Sequence, residues 1–235
     1  MSLLNQVRRI RTTFEDFAFR PMGRPKREFW DRVEAHLRRL ELSPDLLSAY
    51  PHQLSGGMRQ RATIALATVC QPEFVIADEP TTALDVVVQK DVLAMIRDVQ
   101  REMGSSVVFV THDMSVHANT ADRIGIMYAG RLVEEGPTGT LFATPKHPYT
   151  AHLIASLPRL GDITPKAPLE GQPPNLADPP TGCRFHPRCP LAIDKCTTEV
   201  PPLETVGLDH RSACWRVADV ALPTPIEIQT SLVHQ

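Results

Sequence analysis

At 235 residues the chain allows one large domain, or one domain with an appendage, and it can bury a core without disulfides. Hydrophobic residues at 42% and charged residues at 22% are ordinary for a globular protein, and 25 Lys+Arg against 27 Asp+Glu leave a net charge of -2. With aromatics at only 6%, neither a basic field nor a stacking platform for nucleic acid is available. No apolar run approaches the roughly 20 residues of a membrane-spanning helix, and the opening MSLLNQVRRIRTTFEDF lacks the apolar core and cleavage site of a secretory signal. An integral membrane protein, a secreted disulfide scaffold and a histone-like binder are therefore all disfavoured.

In chain order, residues 27–41 place Phe29, Trp30, Val33, Leu37 and Leu40 at helical spacing with charges between them, which predicts an amphipathic helix packed on a neighbour. PHQLSGGMRQRATIALATVCQP reads as a loop, a Gly-Gly turn and a helix ending near Gln71-Pro72, with Cys70 expected as a small core residue. FVIADE is a short apolar run that fits a buried parallel strand. VVVQKDVLAMIRDVQREMG predicts a helix closed by Gly104, with Val88, Val92, Met95, Ile96, Val99 and Met103 inward. SSVVFVTHD predicts a second buried strand, MSVHANTAD a short helix, and RIGIMYAGRLVEEG a hairpin turning at Ala129-Gly130. Strand, helix, strand, helix, strand in that order implies an α/β domain with a largely parallel sheet and chemistry at the carboxyl ends of its strands. Prolines from Pro158 onward, as in PKAPLEGQPPNLADPP, predict an extended linker to a small terminal module.

Three clusters along this path suit phosphate chemistry. Ser55-Gly56-Gly57 stands before a helix, so glycine backbone, a hydroxyl and the helix N-terminus could meet an anion together; alone, the same letters also fit a simple turn or cap. Asp78 and Glu79 end the apolar FVIADE run, where one carboxylate can hold Mg²⁺ through its water shell and the next can orient an attacking water. Glu79 leads into Pro80-Thr81-Thr82-Ala83-Leu84-Asp85, and His112 follows the next strand at its carboxyl end.

Taken together these residues resemble the nucleotide-binding subunit of an ABC transporter. Leu54–Gln60 resembles the family's signature motif, Phe74–Asp78 its Walker B strand followed by Glu79, Thr82–Asp85 its D-loop, and His112 its switch histidine. PHQLSGGMRQR, ADEPTTALDV, TPKHPYTAHLIASLP and GCRFHPRCPLAIDKC are similar to the oligopeptide/dipeptide and nickel importer branch. The resemblance implies a partial P-loop NTPase fold of the RecA-like α/β class. Residues 1–71 would be a helical subdomain carrying the signature, 72–157 a portion of the RecA-like core, and 158–235 a Pro-rich linker with a Cys-rich extension. It also implies that Ser55, Gly56, Gly57 and Gln60 contact ATP held mainly by an opposite subunit. Asp78 would support Mg²⁺, Glu79 polarise the hydrolytic water, Asp85 bridge a dimer, and His112 touch the γ-phosphate. The implied partners are a second ATPase subunit, two membrane permease subunits and, indirectly, a substrate-binding protein, at the cytoplasmic face of the membrane.

One element of the pattern is missing. A P-loop needs G-x-x-x-x-G-K-[ST], yet none of the 12 glycines is followed by Lys. MSLLNQVRRI resembles the run just after the family's Q-loop, so the expectation is a truncated gene or a misassigned start, with an open apolar sheet edge as its consequence. Such a chain could offer its signature loop to a partner without binding ATP in a half-site of its own. Cys183, Cys189, Cys196 and Cys214 are separated by five, six and seventeen residues, a poor zinc-ribbon spacing. Four thiolates suit a 4Fe–4S cluster, which the resemblance to peptide-importer ATPases also implies; a zinc site and free thiols stay open as alternatives.

Overall fold

The stripe of Phe29, Val33 and Leu37 is fully buried, with Trp30 nearly so, on helix α2 (Lys26–Arg39). Burying side chains of this size contributes about 1.5–3 kcal/mol each, enough to fix which face of the helix turns inward. Pro25 precedes the helix and fixes its entry; Leu40, at the far end, is buried too. The computed structural model describes residues 4–20, 25–82, 84–157 and 169–222, so Ala83 and the proline run from 158 to 168 lie outside the described residues.

Two compact units divide the chain, Met1–His112 and Asp113–Gln235. The first opens with α1 (Ile10–Phe14), which runs into a wider turn at Glu15–Phe19, and continues through α2 to α3 (Gly56–Thr68). Strand β1 (Phe74–Asp78), α4 (Val86–Met103) and β2 (Ser106–Val110) follow. Gly104 closes α4 in the left-handed conformation, as its position predicts, and the helix buries Val92, Leu93, Ile96 and Val99. One apolar core runs from Leu4 through α2 and α3 to Val99.

The second unit holds α5 (Met114–Thr120), β3 (Arg123–Tyr128), β4 (Arg131–Pro137), α6 (Thr138–Ala143), α7 (Pro148–Ala155) and α8 (Asp194–Thr198). Strands β5 (Glu204–Gly207) and β6 (His210–Ser212) complete it. The turn between β3 and β4 has Ala129 at φ 48° and Gly130 at φ 77°, the pair of positive values that a tight right-twisted hairpin requires.

Several expectations are corrected here. The parallel sheet is a pair, β1 with β2, and among the described residues β3 does not join it. Committed to a tight hairpin, β3 pairs antiparallel with β4 in a four-stranded sheet ordered β3-β4-β6-β5. In the same sheet β6 of the cysteine-bearing tail pairs Ser212 with Glu134 and Arg211 with Glu135. The strands FVIAD and SVVFV are also not buried on both faces. Phe74, Ile76, Val108 and Val110 fall on one face by register and are 53%, 65%, 44% and 48% exposed, because only the other face meets helices. Cys70 is exposed rather than core, its thiol facing the Ala18 carbonyl at 3.9 Å.

Glu134 organises the second unit and has no exposed surface. Its carboxylate accepts from the backbone N–H of Lys146 (2.6 Å) and His147 (2.9 Å) and from His210 Nε2 (2.7 Å). One side chain thus fixes β4, β6 and the Lys146-His147-Pro148 bend together. Burial lowers the His147 pKa to about 4, so its ring is neutral and Nδ1 accepts from the Tyr149 N–H at the start of α7. Removing one member of a buried hydrogen-bonded pair leaves the other uncompensated, at a cost of about 3–5 kcal/mol. We expect Glu134→Ala to lower stability by at least about 3 kcal/mol in denaturant unfolding, whereas Glu135→Ala, partly exposed on the same strand, changes it by less than about 1 kcal/mol.

Candidate functional site

Parallel register delivers the acid pair. Asp78 lies opposite Val110 at the ends of β1 and β2, and the Glu79 N–H then bonds the Val110 carbonyl at 2.8 Å, one step past the strand. There Glu79 takes φ 47°, a left-handed conformation that costs a non-glycine residue about 1–2 kcal/mol. The turn points its carboxylate along the carboxyl edge of the strand pair, where two partners meet it. His112 Nδ1 sits 2.8 Å from Oε1, and the Thr82 hydroxyl donates to Oε2 at 2.8 Å. Since an ionised carboxylate can only accept, Nδ1 carries the proton and Nε2 stands at the opposite corner of an 80% exposed ring.

These hydrogen bonds, from His112 first and Thr82 second, hold the Glu79 pKa below the ordinary carboxylate range. The group is therefore ionised throughout the neutral range. It is suited to polarising and orienting a water more than to storing a proton.

The signature segment has a different local geometry from the expected Gly-Gly turn. Ser55 is the N-cap of α3, its hydroxyl accepting from the Met58 N–H at 3.2 Å, and Gly56 and Gly57 form the first helical turn with no positive φ. Glycine at position 57 answers a close approach, because an added Cβ would come 3.2 Å from Val88 Cγ1 on α4. The exposed Ser55 and Gly56 stand at a helix N-terminus, where backbone N–H groups and the helix dipole favour an anion. Gly56 and Gln60 also line a cavity of about 750 Å³, shared with Asp78, Glu79 and Thr82. Asp85 is the N-cap of α4, its Oδ1 accepting from the Val87 and Val88 N–H groups, a structural duty that leaves Oδ2 available for other contacts.

Asp78 is exposed at the strand end beside Glu79. Among the described residues no three His, Cys, Asp or Glu side chains form a metal-binding group. The four tail cysteines are free thiols close enough to perturb one another electrostatically, and burial raises the pKa of Cys189 and Cys214 to about 11. Among the described residues they form no metal-binding group.

The fold and this site define a class, the ABC ATPase cassette. A solved cassette, cbiO1 of Clostridium perfringens, described as part of the ABC transporter complex cbiONQ, superposes with a TM-score of 0.52 at 27% identity, over 59% of this chain and 54% of that one. The sequence profile of the family described as ABC transporter matches residues 2–82, and that of the oligopeptide/dipeptide transporter C-terminal region matches residues 133–196. A peptide import ATP-binding protein of Brucella abortus is 50% identical over 179 residues, 73% of this chain and 53% of that protein. The dipeptide transport ATP-binding protein DppD of Bacillus subtilis is 47% identical over 174 residues, 72% of this chain and 51% of its own length. The chain belongs to the ABC transporter family, in the branch that carries the oligopeptide/dipeptide transporter C-terminal region. It spans about half the length of the curated relatives it matches.

Glu134 and His210 escaped the sequence reading: a glutamate within RLVEEG and a histidine 76 positions later carry no local signal of pairing. Thr82 could have been noticed, since a hydroxyl three residues after an acid in a turn commonly bonds back to it. For the acid–imidazole contact the expected outcome is that His112→Ala raises the Glu79 pKa more than Thr82→Ala does, read by carboxyl-detected NMR titration. Equal titration curves in all three chains would contradict the assigned order of causes.

Proposed function

We propose that this chain serves as the ATPase subunit of an ABC importer for oligopeptides or dipeptides, working at the cytoplasmic face of a membrane. Its partners in this reading are a second ATPase subunit and two permease subunits, with a substrate-binding protein acting indirectly. The observation that carries the reading is the contact of Glu79 with His112 at 2.8 Å, at the carboxyl edge of a parallel strand pair. Support also comes from the relatives, which are named for peptide and dipeptide import.

Each residue then has a task. Ser55, Gly56 and Gly57 present the start of α3 to the terminal phosphate of a nucleotide held by the opposite subunit, and Gln60 stands one turn behind them. Bound ATP supplies the phosphoanhydride to be cleaved, with Mg²⁺ neutralising its charge beside Asp78. Glu79, kept ionised and aimed by His112 and Thr82, orients the water; His112 turns Nε2 toward the phosphate; Asp85 spans to the partner. Residues 1–71 act as the signature-bearing portion, 72–157 as the core portion and 158–235 as the importer-specific extension. In a second reading the chain lends only its signature segment, the exposed start of α3, to a partner's site. The finer expectation of a 4Fe–4S cluster on Cys183, Cys189, Cys196 and Cys214 rests on the resemblance of the tail to peptide-importer ATPases, and an iron and sulfide assay of the purified chain decides it.

Steady-state ATP hydrolysis separates the two readings when the chain is combined with an ATPase subunit that carries an intact P-loop. Ser55→Arg is expected to lower the rate by at least about a hundredfold in both, because it blocks the anion lip. Glu79→Gln lowers it further only if this chain's own acid works on nucleotide, and leaves it unchanged if the signature alone is lent. A Ser55→Arg complex as active as the parent removes both.

A further inference from the structure

The glycine pair that opens α3 rests on the residues that lead into α4. A Cβ added at Gly57 would come 3.2 Å from Val88 Cγ1, closer than side chains normally pack, so the Gly57 backbone lies flush against that methyl group. A Cβ added at Gly56 would meet Leu84 Cδ2 at 3.7 Å, an ordinary contact distance. Ser55 and Gly56 are exposed beyond these contacts, while Gly57 is half-buried by them. Apolar side chains thus support from below the helix start that an anion would meet from above.

Val88 is well fixed for such a task. Its N–H donates to Asp85 Oδ1 at 3.0 Å, and the Val87 N–H donates to the same oxygen at 3.1 Å. Val86 and Val87 are 81% and 72% exposed, whereas Val88 is half-buried and packs against the core of the first unit. A β-branched side chain in a helix keeps to one χ1 rotamer, so the methyl group against Gly57 cannot swing aside. The Asp85 cap therefore sets the Val88 backbone, and the Val88 side chain sets the first turn of α3.

Leu84 is anchored from the other direction. Its N–H donates to the Thr81 carbonyl at 3.2 Å, and the Thr82 N–H donates to the Glu79 carbonyl at 3.2 Å. The turn that begins at Glu79 thus ends beneath Gly56.

We propose that Val88 is a positioning residue for the anion-facing start of α3, acting through Gly57 to hold Ser55 and Gly56 at the height where they meet a terminal phosphate. Glycine at position 57 is then demanded by Val88, because any larger residue pushes the two helix starts apart. This inference rests on the reading in which α3 faces nucleotide held by an opposite subunit.

Steady-state ATP hydrolysis by the full chain, combined with an ATPase subunit that carries an intact P-loop, tests it. Val88→Ala is expected to lower kcat by about tenfold with KM for ATP within about twofold, since displaced phosphate-facing groups cost rate before they cost binding. Met95→Ala is the control: it removes a half-buried side chain from α4 two turns away, beside Arg39 and Leu40, and is expected to leave kcat within about twofold. Gly57→Ala alone is expected to lose about tenfold, and the Gly57→Ala/Val88→Ala double variant to exceed both single variants, because the shortened side chain makes room for the added methyl. Losses that multiply to about a hundredfold in the double variant, or a Val88→Ala chain as active as Met95→Ala, overturn the proposal. A parent complex that hydrolyses no more ATP than the partner alone sinks the ATPase reading itself, and amide exchange in the chain alone then decides about Val88. Faster exchange of the Met58 and Arg59 N–H groups, both bonded to Ser55, in Val88→Ala but not in Met95→Ala sustains the support, and equal rates overturn it.

Discussion

The register of two short parallel strands controls the geometry of the site. With Asp78 opposite Val110, the next residue on each strand leaves the sheet at the same level, which brings the Glu79 carboxylate within 2.8 Å of His112. A shift of one residue would turn Asp78 and its neighbours to opposite faces and break the contact. The left-handed backbone at Glu79 belongs to the same constraint, because the chain must turn sharply there while its N–H still completes the last bond to β2. Strain held at one residue yields an ionised carboxylate with two fixed hydrogen-bond partners.

The second unit is tied together by other means. No parallel register is available, so a buried glutamate links elements far apart in sequence: β4, the Lys146-His147 bend and β6, through three hydrogen bonds. An aromatic group of Tyr128, Tyr149 and Phe185 packs beside it, with ring centroids 4.7–5.4 Å apart. This explains why the stretch TPKHPYT and the cysteine-bearing tail belong to one body: the tail provides the strand and the histidine that the bend needs.

Much of the first unit was legible because local signals agree with tertiary ones. The helical spacing of Phe29, Val33 and Leu37, the glycine stop at Gly104 and the apolar runs into Asp78 and toward His112 each have a single favourable structural solution. Ser55 was legible as a cap or an anion lip, and it has the geometry of the first while remaining exposed for the second. Other features required long-range information. Whether β3 joins a parallel sheet or turns back depends on Ala129 and Gly130 and on a strand from residues 210–212, and no window of sequence holds both. The pairing of Glu134 with His210 is hidden for the same reason. The expected burial of Phe74 and Ile76 failed because an apolar strand reports what could cover it, while exposure depends on what does.

The reading turns on nucleotide bridging two subunits, with the start of α3 as one lip of the bridge. Analytical ultracentrifugation of the chain mixed with a P-loop-bearing ATPase subunit tests this most directly, with and without a magnesium-loaded ATP analogue that cannot be hydrolysed. The account predicts a heterodimer that forms only with the analogue and is lost in the Gly56→Asp chain, whose added carboxylate repels the phosphate. Association that is equally strong without nucleotide, or that survives Gly56→Asp, would contradict it.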